Sequence, residues 1–184
     1  VKQVRKIHAV EIDIENIPLD DEKTFAMLAR GETMGLFQLN GSGMTAFLKQ
    51  LKPTTIHDIN AMVALYRPGP MEMIPTYIER KHNPSLVQYL DPRLEKIIER
   101  SYGVITYQDD VMMISIELAG YSWLEADKLR KAIGKKIPEE MAKQEKIFIQ
   151  GCQDESGMTE EEAREIWDLF VPFQGYGFNK AHAA

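Results

Sequence analysis

Ser122-Trp123-Leu124-Glu125-Ala126-Asp127-Lys128-Leu129-Arg130-Lys131-Ala132-Ile133-Gly134 is the stretch on which the fold turns. Leu129 and Ile133 lie four apart and share one face of a helix, while Lys128, Lys131 and the following Lys135 fall at i, i+3 and i+7 on another. A helix is predicted from Ser122 or Trp123 to Ile133, with Gly134 as its stop. It would bury an apolar stripe and turn a positive one outward. Pro138 suits the first turn of the next helix, to about Cys152, and Thr159-Glu160-Glu161-Glu162 opens another in capping-box form.

Upstream the same period recurs. Pro18-Leu19-Asp20-Asp21-Glu22 opens a helix to about Ala29, with Asp20 as its cap. Met44, Phe47, Leu48 and Leu51 repeat at helical spacing until Pro53, and Ile59, Met62, Val63 and Tyr66 do so until Arg67-Pro68-Gly69-Pro70 stops the chain sharply. Short helices are expected over Met73–Lys81 and Leu94–Arg100, and a longer one from Asp110 to Leu118. Gly35–Leu39 reads as a short strand, and Gly103–Tyr107 as a short strand or buried extended run. The fold class is mainly α with a few short strands.

The 184 residues fit one domain, or one domain and part of a neighbour, and 44% apolar content suffices for a real core. No apolar run approaches the roughly 20 residues that span a bilayer, and no signal-peptide pattern opens the chain, so no membrane role is expected. Cys152 is the only cysteine, which excludes an internal disulfide and fits a reducing cytoplasm. Both ends read as cut from a longer protein.

Net charge is −6, which by itself argues against a nucleic-acid binder. The average conceals Lys128, Arg130, Lys131, Lys135 and Lys136, a run with no acid among them. Such a stripe could hold a triphosphate or a DNA backbone, but spacing alone favours a solvated helix face with lysines near the helix C-terminus. In Gly175-Tyr176-Gly177-Phe178-Asn179-Lys180-Ala181-His182, glycines allow close backbone approach and aromatic faces could stack on a base; an ordinary turn with two core aromatics has the same composition. The rigid turn after Tyr66 could fix Arg67, or leave it as an exposed residue at a helix stop. Asp109-Asp110 could bind Mg²⁺, and adjacent aspartates also begin many helices. No phosphate-loop, His-Glu-x-x-His or nucleophile-elbow pattern is present, and the four histidines are scattered.

Together these segments resemble the C-family replicative polymerases, the bacterial DNA polymerase III alpha subunits. The matching stretches are Gly35–Leu39, Met62–Pro70, Arg80-Lys81-His82, Tyr102–Gln108, Glu125-Ala126-Asp127, Arg130–Lys136, Pro138–Gln144 and Gly175–Ala183, in the family's order and from about Ile17 onward. The resemblance implies that residues 1–34 are the end of the palm and its connection, and 35–184 a truncated fingers domain. It implies binding of the incoming deoxynucleoside triphosphate by Arg130, Lys131, Lys135 and Lys136, with Arg67 a further candidate. Tyr176, Phe178, Asn179, Lys180 and His182 would line the nascent base pair or template.

By the same resemblance, Mg²⁺ would be held by palm aspartates upstream of this chain, so no catalytic or metal-binding residue is expected here. The implied partners are primer–template DNA, deoxynucleoside triphosphates and other replicase subunits, including the sliding clamp, the last through regions outside the chain. The chain alone is expected to be inactive. A non-catalytic nucleic-acid-binding module and a helical interaction module remain the alternatives. Where the family usually carries two arginines this sequence has Arg130-Lys131, where it carries Met this one has Ile133, and Glu-Gln is common where Asp109-Asp110 stand.

Overall fold

A computed structural model describes residues 1–135, 137–173, 175 and 177–184. Among them are eleven α-helices, several joined by single 3₁₀ turns, and no strand. They are α1 (Lys2–His8), α2 (Glu22–Ala29), α3 (Ser42–Leu51), α4 (Ile56–Leu65), α5 (Ile74–His82), α6 (Glu95–Ile98), α7 (Gln108–Ala119), α8 (Trp123–Lys135), α9 (Pro138–Ser156), α10 (Glu160–Asp168) and α11 (Lys180–Ala183).

The mainly α expectation holds, and the short strands are corrected. Residues 35–39 form turns, with Gly35 and Gln38 at positive φ and Leu39 N–H donating to the Leu36 carbonyl. Val104–Tyr107 is buried and lies outside any helix, and no strand among the described residues pairs with it. A short apolar run satisfies a strand and a buried connector equally well, and only a partner backbone separates them.

Caps decide most helix starts. Asp21, one residue later than expected, caps α2 by accepting the Thr24 N–H at 2.7 Å. Thr55 and Asp58 form a reciprocal box on α4, and Thr159 and Glu162 on α10. Helix α8 runs through Gly134, the expected stop, to Lys135. Gly120 and Gly157, at φ of 67° and 65°, do end α7 and α9.

One continuous core joins both halves of the chain. Helices α7 to α10 pack on each other through Ile114, Leu118, Leu129, Phe148, Cys152 and Trp167, and α3 to α5 through Leu48, Leu51, Met62, Leu65 and Tyr77. A buried polar knot holds the second group. Asp58 is fully enclosed; its Oδ1 accepts the hydroxyls of Tyr77 at 3.1 Å and Tyr102 at 3.2 Å. Its Oδ2 accepts the Thr54 and Thr55 N–H groups and lies 3.7 Å from the Lys81 ammonium. A buried charge is tolerable only when partnered in this way.

Candidate nucleotide and nucleic-acid interface

Helix α8 carries the basic stripe as its sequence spacing requires. Ser122 and Glu125 cap each other's backbone N–H groups at its start. Ala126, Leu129, Ala132 and Ile133 are buried, while Lys128, Lys131 and Lys135 are exposed. Sequence reasoning missed Asp127. Its Oδ1 accepts Arg130 Nε at 2.9 Å and Nη2 at 2.7 Å, and its Oδ2 pairs with Lys131 Nζ at 2.7 Å. The i, i+3 and i, i+4 spacings were the available signal. Hydrogen bonds from Lys131 and Arg130 hold the Asp127 carboxyl below its usual range. One aspartate thus orients two of the expected phosphate ligands and offsets part of their charge. Lys135 forms no ion pair among the described residues. Lys136 lies outside the described residues.

Arg67 follows α4 in a tight turn. Its N–H reaches back to the Leu65 carbonyl at 2.7 Å, and Gly69, at φ 89°, takes the backbone where a side chain is strained. The Arg67 guanidinium is not an exposed charge at a helix stop. It lies 4.1 Å from the centroid of the Phe178 ring, and its buried Nε has no hydrogen-bond partner among the described residues.

The glycine-flanked turn ties these elements together. Gly175, at φ 79°, donates its N–H to the Ile133 carbonyl near the end of α8 at 2.8 Å. Gly177 lies so close to Gln108 that a Cβ there would sit 2.5 Å from its Cγ. Gln108 N–H in turn donates to the Phe178 carbonyl at 2.9 Å. Asn179 caps α11 by accepting the His182 N–H at 3.0 Å. Lys180 N–H donates to Asp109 Oδ2 at 2.8 Å, and its ammonium lies 5.5 Å from the Tyr107 ring centroid. The His182 ring is 5.2 Å from that of Phe178, and α11 packs on α4. Tyr176 lies outside the described residues.

The structure therefore brings together Arg67, Phe178 and the ends of α4 and α8. Among the described residues, no hydrogen bond or ion pair joins Arg130 or Lys131 to the 175–183 segment; Asp127 holds both instead. Asp109 and Asp110 are taken up by backbone donors, Asp109 from Lys180 and Asp110 from Thr106 and Tyr107. No three His, Cys, Asp or Glu side chains converge among the described residues. No helix among the described residues is long and apolar enough to cross a membrane.

A family model for the bacterial DNA polymerase III alpha subunit finger domain matches residues 1–156. The chain belongs to that finger-domain family. It is 50% identical to the DNA polymerase III subunit alpha of Thermus aquaticus over 186 aligned positions, covering 98% of this chain and 15% of that protein. The subunit alpha of Halalkalibacterium halodurans is 49% identical, covering 100% of this chain and 16% of its own length. That of Staphylococcus aureus is 48% identical, over 98% of this chain and 17% of its own length. The chain thus spans about one sixth of the curated relatives it matches. In this chain the end of the basic helix, the Arg67 turn and the aromatic turn are neighbours in space, although more than 100 residues separate Arg67 from Phe178 in sequence.

Proposed function

We propose that this chain works inside a longer DNA-directed DNA polymerase, where it grips the triphosphate of the incoming deoxynucleotide and the primer–template beside it. One observation carries the reading: the Gly175–Ile133 bond seats the aromatic turn against the last, lysine-bearing part of α8. The Phe178 ring of that turn lies 4.1 Å from the Arg67 guanidinium, so a cation and a flat ring border one region, as a ligand with both phosphates and bases requires. Arg130 and Lys131 rise from a helix whose other face is buried, so they are held at a fixed depth. As the leaving pyrophosphate gathers negative charge, cations that need not reorganise stabilise it more than the ground state. A triphosphate competes with Asp127 for both side chains, and Asp127 keeps them ordered until it arrives.

Residues 1–34 are assigned in this reading to the end of the palm and its connection. In support, α1 buries no side chain, and Ile7, Ile14 and Leu19 are exposed. Mg²⁺, the sliding clamp and other replicase subunits belong to parts of the longer protein outside this chain, and a cytoplasmic location goes with that role. The Asp127 pairings favour one second reading, a helical interaction module whose cations are only solvated. Replacing Arg130 and Lys131 with Ala in the full-length polymerase separates the two. The nucleotide KM should rise about tenfold or more, with kcat falling as well. Unchanged incorporation would leave the interaction module as the better reading.

A further inference from the structure

Asp109, to which the sequence assigns no definite role, links two distant parts of the chain. Its Oδ2 accepts the Lys180 backbone N–H at 2.8 Å and the Asn179 side-chain amide at 3.5 Å. One residue earlier, Gln108 N–H holds the Phe178 carbonyl at 2.9 Å. Consecutive residues of α7 thus fix the two peptide groups that follow Phe178. The ring meets the Arg67 guanidinium at 4.1 Å. Among the described residues no side-chain hydrogen bond or ion pair holds Arg67, and its Nε is buried without a partner. Phe178 is thus the described neighbour that faces the guanidinium, whose orientation sets where the remaining N–H groups point.

We propose that Asp109 is a positioning residue of the candidate site: its carboxylate pins the 178–180 turn to the head of α7, so that Phe178 fixes the orientation of Arg67 toward an anionic group of nucleotide or DNA. The coupling from Asp109 to Arg67 is read from the contacts. The ligand at the end of it rests on the function proposed above. Asp109→Ala removes the acceptor, whereas Asp109→Glu keeps a carboxylate within reach of the Lys180 N–H.

The test is a double-mutant cycle in the full-length polymerase, with nucleotide KM and kcat measured for wild type, Asp109→Ala, Arg67→Ala and the pair. Asp109→Ala should raise KM about tenfold, the worth of one charge-assisted hydrogen bond, with its melting temperature as a control for folding. In the Arg67→Ala background it should change KM by less than about twofold, because its effect passes through Arg67. Phe178→Ala should behave as Asp109→Ala does, and Asp109→Glu should restore most of the loss. An effective Arg67→Ala with an additive or silent Asp109→Ala overturns this proposal alone. A silent Arg67→Ala overturns the placement of Arg67 at the ligand, and this proposal with it.

Discussion

Asp110 sits beside Asp109 at the head of α7, with its carboxylate buried and its Oδ2 accepting the N–H groups of Thr106 and Tyr107 at 2.9 Å each. Burial pushes its pKa up from 3.8 to about 6, against the opposing pull of those two bonds and of Lys180, while Asp109 adds to the rise. The folded chain therefore holds this proton more tightly than the unfolded one. Its contribution to stability is fully present below the unfolded value and is lost as pH rises through about 6. Carboxyls held low, such as Asp127 and Asp91, act with the opposite sign, losing stability as pH falls. The difference between wild type and Asp110→Asn isolates the one group. Between about pH 7.5 and about pH 4.5, wild type should gain on the order of 2 kcal/mol over the variant in denaturant melts. Parallel pH curves for the two proteins would refute this. None of it was visible in the sequence, where Asp109-Asp110 reads as a helix start or a Mg²⁺-binding pair, because adjacency says nothing about which carboxylate is buried.

Among the elements, α7 and α9 cross closely at Gly151. A Cβ at Gly151 would run into the Ala119 carbonyl oxygen and lie 3.0 Å from the Ala119 Cβ. Backbone cannot move aside as a flexible side chain can, so Gly151→Ala should cost about 2 kcal/mol or more despite its better helix propensity. Thermal unfolding followed by circular dichroism should fall by roughly 4–8 °C, and an unchanged or raised midpoint would show that the helices can part freely. Helix positions with local signals were legible: the Thr159 box, the buried Leu129 and Ile133, and the ends of α3 and α4 all stand where spacing put them. The misreadings share one cause. Gly134 as a stop and 35–39 as a strand both depend on what lies next to the chain, and local pattern carries no information about neighbours.

At the scale of the whole molecule, charge argues for a part of a larger machine. Net charge is −6, and two of the cations on α8 are already paired to Asp127. The purified 184-residue chain should bind primer–template DNA only weakly, with a dissociation constant of about micromolar or above that worsens steeply with salt. It should incorporate no nucleotide. Robust Mg²⁺-dependent extension, or tight binding insensitive to salt, would overturn that expectation. Met34 and Phe37 are 98% and 88% exposed, unusual for large apolar side chains on a well-formed turn.

The amino-acid order alone settled the helical class, most caps and stops, the family, and the outward-facing lysines, because each of these follows from periods of a few residues or from a sequence pattern. Tertiary structure decided the rest: that Asp127 claims Arg130 and Lys131, that Arg67 lies over Phe178, and that Asp109 reaches Lys180. Contacts between residues this far apart, or between side chains with several possible partners, are chosen by packing of the whole chain, where burial decides which charges must be paired.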